Sequence, residues 1–429
     1  MTGSEILSAC GKVSSNAEVS GIEREYRSVE FNPVNTVCTT GSRSGWGLRM
    51  TRNGKLGVAG QWGPVRPFEL VERGIASCRY GPDADFPFPD ESPETRREIP
   101  DSLSATDHDG VCHYLQDILT GINKLVPGAS LTARISWGDD TFHLLNSQGL
   151  RGSYSKSRAF ATLSVTVPSD RGLLQSGVNV ETSCSLPSVS DLVEILTLPL
   201  LFRDVEPGEA VGRKRVVLAP SAFSLLLQGI KTGVSGRLLA MGGSPLESLA
   251  GSKVLSEKLT LRDMPELSNG AASAPFDSEG TPSRDKFLFE NGVFKGFLHD
   301  LHSAFLCGAE TTGNSGRNLG EHSRPVCTNL VADVSPEVSK YTLEETGSGL
   351  LVTDILSAGG GDRSSGQFNF DCGRAYLFRR GEICGYYDGC VITGNVYDAL
   401  SRVITMGGKQ YRTGSDLLPF VSLDGISVR

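Results

Sequence analysis

Residues 216–240 read VVLAPSAFSLLLQGIKTGVSGRLLA. Val216 to Ala219 is a short apolar run of the length expected for a buried strand. Pro220 ends it, because proline lacks a ladder N–H and its fixed φ suits the first turn of a helix. Ser221 to about Val234 is then expected to be one apolar helix. Gly229 and Gly233 fall inside it, where glycine costs about 1 kcal/mol relative to alanine. A glycine tolerated there lets a neighbouring element approach closely.

Outward from this stretch the chain alternates hairpins and helices without a βαβ rhythm, which points to an α+β fold. Downstream, Phe287–Phe289 and Val293–Leu298 flank Asn291-Gly292, a strong two-residue hairpin signal. Arg374–Phe378 with Glu382–Tyr386 reads as a further hairpin, and Asn395–Met406 as a late helix. Upstream, Trp46–Met50 returns through Asn53-Gly54 to Leu56–Ala59, and Phe68–Cys78 is amphipathic. Residues 81–100, rich in proline and acid, read as an extended surface loop. A helix is expected from Ser104 to Val126, opened by Thr106-Asp107-His108-Asp109, followed by strands near 131–147 and 158–167. The reading is an N-terminal α+β domain over residues 1–190, with an antiparallel sheet and helices on one face. A linking helix follows at Asp191–Phe202, then a mostly-β C-terminal domain over 205–429.

Composition narrows the function classes. The chain has 429 residues, 38% hydrophobic and 21% charged, with a formal net charge of −8. An acidic balance argues against a nucleic-acid or anionic-membrane partner. No run approaches the roughly 18–20 apolar residues of a membrane-spanning helix. The N-terminal residues lack a basic stretch followed by an apolar one. Ten cysteines without close pairs then read as free thiols, and the expected location is the cytoplasm.

Few side chains suggest chemistry by pattern alone. His108, Cys112 and His113 lie close in sequence, but His113 sits about 140° around a helix from His108. His299 and His302 are three apart, with Cys307 beyond. No G-x-S-x-G elbow is present. Asp277 and Glu279 are two carboxylates before a turn, conceivable for acid–base work, with a structural role in the sheet or the subunit contact the favoured reading. Thr311 to Arg317 is a polar glycine-rich loop. Asp277, Glu279, Thr312, Asn314 and Arg317 are therefore the candidate substrate or partner contacts.

Several ordered motifs together resemble one family. They are Pro275-Phe276-Asp277-Ser278-Glu279-Gly280, then Asn291-Gly292, then Thr312-Gly313-Asn314. Gly349-Leu350-Leu351-Val352-Thr353, Gly366-Gln367-Phe368 and Ile392-Thr393-Gly394-Asn395 follow, and Ser28–Asn32 fits near the start. This series is similar to the TldD/PmbA family, peptidase U62, also called modulators of DNA gyrase. In the zinc-bearing branch, the resemblance implies a His-Glu-x-x-x-His motif on the strand–Pro–helix. Here the matching positions are Gln228, Gly229 and Gly233. None offers the imidazole, thiolate or carboxylate that zinc requires. That branch also draws a ligand from a cysteine near the C-terminus, and Gly407–Arg429 contains neither Cys nor His. The chain therefore resembles the PmbA/TldE branch.

The resemblance implies no catalytic or metal residue in this chain and no cofactor of its own, with zinc in a partner subunit. The function it implies is that of the non-metal subunit of a two-part metallopeptidase acting on small or unfolded peptides. The expected assembly is a heterodimer with a TldD-like zinc-bearing paralogue, or else a homodimer, since a β-rich domain has sheet edges to cover. The alternatives are a stand-alone homodimeric binding or scaffold protein, and an amide hydrolase with an unidentified site.

Overall fold

The structure is a computed structural model that describes residues 3–84, 86–93, 95–98, 103, 105–169 and 172–429. The first sheet runs in the order Lys55–Trp62, Thr36–Arg52, Ala17–Phe31, Ser130–Asn146, Arg151–Ser169. Gly172–Thr182 continues it, antiparallel to Arg151–Ser169. Strand alternation gives the sheet two distinct faces. From the central strand, Ala17, Val19, Val29 and Phe31 point into apolar cores. These are covered by the helices Gly3–Cys10, Pro67–Cys78, His108–Leu125 and Val189–Thr197. His108–Leu125 buries Val111, Leu115, Ile118 and Ile122, a three-and-four spacing that lays one stripe on the sheet. Ser20, Ile22 and Arg24, on the opposite face, look toward the C-terminal half of the chain.

The second sheet closes on itself. Asp416–Val428 pairs with Glu382–Asn395, which pairs with Gln367–Arg379, then Ser348–Val352, then Gly212–Leu218. Gly212–Leu218 pairs back to Asp416–Val428. Around this ring lies the largest apolar core, including Phe223, Leu226, Ile230, Phe289, Phe294 and Leu418. The helical stretch after Pro220 is part of this core, as its apolar composition requires. The architecture is α+β, with helices on one face of an N-terminal antiparallel sheet and a strand-rich C-terminal half.

Several elements differ from expectation, each for a local reason. The helix expected over 221–234 is two, Pro220–Leu226 and Gln228–Gly233, parted at Leu227, whose ψ of −8° departs from the ideal helical value of about −42°. The helix expected to reach Met406 stops at Leu400, and Val403–Thr413 is a strand. Its β-branched Val403, Ile404 and Thr405 favour that outcome. The hairpin strand after Asn291-Gly292 is only Val293–Phe294, since Gly296, with φ 144°, turns the chain out of the ladder. Arg96–Glu98, within the expected loop, pairs parallel to Arg151–Ser169. The helix expected from Ser104 begins at His108, with Asp107 accepting from the Gly110 N–H at 2.8 Å; residue 104 lies outside the described residues. Asn53-Gly54 forms the expected turn, with φ of 51° and 72°.

Candidate functional site

The central feature is a cavity of about 650 Å³ between the first sheet and the loops over 272–328. That volume is in the range of small-ligand sites, about 300–1,000 Å³. Strand register builds its floor. Arg43, Arg24, Asp140 and Lys156 stand directly opposite one another across four adjacent strands. The next row is Ile22, Phe142 and Tyr154. Phe142 stacks on Tyr154 at 4.8 Å, and Tyr154 meets the edge of Phe276 at 5.0 Å.

Asp140 is buried and holds this floor together. It accepts from Arg24 Nε and Nη2 at 2.7 and 2.8 Å, and Arg158 lies 3.4 Å away. Lys156 donates to the carbonyls of Ala271 and Ser273 at 2.9 and 3.0 Å, tying sheet to loop. Burial, with Arg158 and Arg24 adding to it against the pull of Asp140, lowers its amine to about 8.

The opposite wall carries most of the residues singled out in the sequence. Asp277 lines the cavity and accepts from the backbone N–H groups of Glu279, Thr281 and Ser315 at 2.9–3.0 Å. Burial and the nearby Glu279 charge raise its carboxyl to about 7. Asn314 is buried and donates to Asp263 and to the Val326 carbonyl, at 2.6 and 3.0 Å. Its carbonyl accepts from Lys286 and from Thr312, at 2.9 and 2.8 Å. Thr312 also accepts from the His299 N–H at 2.8 Å.

Glu279 lies behind this wall, fully buried, in a network joining the two halves of the chain. Arg49 pairs with Glu279 and with Glu18, and Arg317 pairs with Glu18. Ser323 donates to Glu279 at 2.9 Å, and so does the Leu301 N–H at 2.8 Å. Burial alone would push Glu279 up. The Arg49 charge and the Leu301 N–H outweigh it and hold the carboxyl below its ordinary range.

Gln228, Gly229 and Gly233 do not reach the cavity. Gln228 donates to the Ser224 carbonyl at 3.3 Å. A Cβ on Gly229 would meet Val396 at 3.0 Å. A Cβ on Gly233 would overlap the Tyr397 hydroxyl, whose oxygen is buried and lacks a hydrogen-bond partner among the described residues. The same helix offers Lys231 to the buried Asp416, at 2.7 Å.

The histidine clusters are dispersed. His108 donates to the Thr39 carbonyl, His113 to its own helix at Asp109, and His302 to the Asp83 carbonyl. His299 is buried against Ser303. Among the described residues no three His, Cys, Asp or Glu side chains gather as a metal-ligand group.

Residues 211–429 match the family model described as PmbA/TldA metallopeptidase C-terminal domain. The chain belongs to the PmbA/TldD family. It is 25% identical over 415 residues to a metalloprotease of Methanothermobacter thermautotrophicus, covering 87% of this chain and 84% of that one. It is 27% identical over 308 residues to the metalloprotease PmbA homolog of Haemophilus influenzae, covering 65% of this chain and 61% of the relative. In fold it is similar to TldE from Thermococcus kodakarensis, with a TM-score of 0.85, 21% identity and 99% of each chain covered.

The residues that sequence reading missed are Glu18, Arg24, Arg49, Asp140 and Lys156. The available signal was local and partial: alternation at the start of Ala17–Phe31 sets Glu18 opposite Ala17 and Val19, and nothing comparable marks Arg49, Asp140 or Lys156.

Proposed function

We propose that this chain is the non-metal, TldE-like subunit of a TldD/TldE-type metallopeptidase that processes small or unfolded peptides in the cytoplasm. The observation that carries the reading is at Gly233. The donor types at 228, 229 and 233 do not suit zinc, and the space a side chain at 233 needs is filled by Tyr397. Zinc therefore does not fit at 228–233, and hydrolysis is assigned to the partner. What this subunit retains is a peptide-sized cavity with polar and aromatic walls. A division into residues 1–190 and 205–429 places that cavity where the two parts meet.

Among the described residues no helix is long and apolar enough to cross a membrane. Peptide would reach the cavity from solvent and be cleaved at the partner's metal. The test is co-purification of the tagged chain with a TldD-type protein bearing His-Glu-x-x-x-His from the same organism. A one-to-one complex by light scattering that cleaves an unfolded peptide, with this chain alone inactive, is the expected result. Failure to associate, with the chain dimeric only with itself, would favour the stand-alone binding protein instead.

A further inference from the structure

The floor of the cavity carries more positive charge than it neutralises. The row Arg43, Arg24, Asp140, Lys156 holds three cations and one carboxylate, which pairs with Arg24 and with a fourth cation, Arg158. Arg24 and Arg43 are directly opposite across neighbouring strands, a like-charge pairing that costs stability. Arg43 is exposed and lies over the Trp62 ring at 4.3 Å. An ammonium has three donors. Lys156 spends two on the Ala271 and Ser273 carbonyls; among the described residues no oxygen accepts the third, and the Phe142 ring lies 6.0 Å from the amine. Unsatisfied cationic donors on a cavity floor, in a chain of net charge −8, mark a place for an anion.

The surroundings indicate which anion. Immediately beside the charged row, Phe142, Tyr154 and Phe276 form an aromatic step. An anionic group with an apolar side chain next to it fits both features, as the end of a peptide chain does. We propose that Lys156 and Arg24 seat the C-terminal carboxylate of a short peptide, with its last side chain on the Phe142–Tyr154–Phe276 step. The inference rests on the proposed peptide-processing function and specifies which end of the peptide this subunit grips.

A bound carboxylate stabilises the charged form of Lys156. The groups acting on that amine are Arg24 and Arg158, which oppose its charge, and Asp140 and Glu181, which favour it. Asp277 borders the same cavity. With the free amine titrating near 8, binding at pH 8 draws a proton onto Lys156. At pH 6.5 the amine is already charged, and uptake there belongs instead to Asp277, whose carboxyl is raised to about 7.

The test is calorimetry on the full chain with Ala-Ala-Phe as free acid and as C-terminal amide. The amide is expected to bind at least about tenfold more weakly, the scale of one lost charge-assisted contact. Heats in two buffers of different ionisation enthalpy should show proton uptake for the free acid at pH 8, and the part due to Lys156 is the part lost in Lys156→Met. Lys156→Met should abolish both the acid-over-amide preference and that part of the uptake. Equal affinity for acid and amide, or no uptake at pH 8, overturns the proposal on the unmodified chain, whether or not Lys156→Met folds. Inorganic phosphate binding more tightly than the free acid would overturn the carboxylate assignment. An active complex with no acid preference defeats only this inference, whereas an acid preference without a complex defeats only the subunit reading.

Discussion

Tyr397 stands over Gly233 so closely that a Cβ on residue 233 would overlap its phenol oxygen, which is buried and unpaired among the described residues. On the proposed reading, in which residue 233 corresponds to the second zinc histidine of the TldD branch, that position is filled by a neighbour's side chain. Replacing Gln228, Gly229 and Gly233 with His, Glu and His should therefore not rebuild a site. Overpacking at 233, with Val396 crowding 229, should cost about 1–3 kcal/mol or more. Urea denaturation and zinc titration of the triple variant check this, with a lowered midpoint and weak zinc binding expected.

Removing the tyrosine hydroxyl should be harmless to the fold. An unpaired buried hydroxyl carries a desolvation cost of about 1–3 kcal/mol that a phenyl ring does not. Tyr397→Phe is expected to unfold at the same or a higher urea concentration. A clear loss of stability would mean that the hydroxyl has an ordered partner.

Glu279 should prove structural in a stability assay. Glu279→Ala leaves Arg49, 1% exposed, without one of its two carboxylate partners. Breaking a buried pair from one side costs about 3–5 kcal/mol. Glu279→Gln should cost less, since the amide oxygen can still accept from the Leu301 N–H. Chemical denaturation of the two variants gives the comparison.

Lys156 has a defined sign in its pH dependence. Its folded pKa, about 8, lies below the ordinary 10.5, so between those values the unfolded chain binds more protons. Its contribution to stability therefore rises as pH climbs from about 8 toward 10.5 and is flat below that window. Lys156→Met should lack this component. The difference between the two proteins' pH–stability curves over that range isolates it. A wild-type curve that falls relative to the variant's there would mean the amine is instead favoured in its charged form.

Local order was readable from the sequence, and long-range charge was not. Asn53-Gly54, the helix after Arg66 and the Asp107 cap announce themselves through residues a few positions apart, because turn and cap chemistry is local. The strand Val403–Thr413 was hidden by an apolar run compatible with either structure, and tertiary pairing with Asp416–Val428 decided it. The break at Leu227 has no punctuating residue at all. Glu18, Arg49, Glu279 and Arg317 come from separate elements, and the row Arg43, Arg24, Asp140, Lys156 exists only once four strands are in register. Asp277 and Asn314 were found by their motifs, yet the hydrogen bonds that fix them could not be read from those motifs.

On the proposed reading, this chain contributes a cavity and its partner contributes the metal. The most direct measurement is zinc content and cleavage of an unfolded peptide, on the chain purified alone without chelator and on its complex with a zinc-bearing TldD-type subunit. The chain alone is expected to hold no stoichiometric zinc and to show no turnover, and the complex about one zinc with turnover, in line with a single catalytic zinc centre. About one zinc per isolated chain, together with peptide cleavage, would contradict that reading.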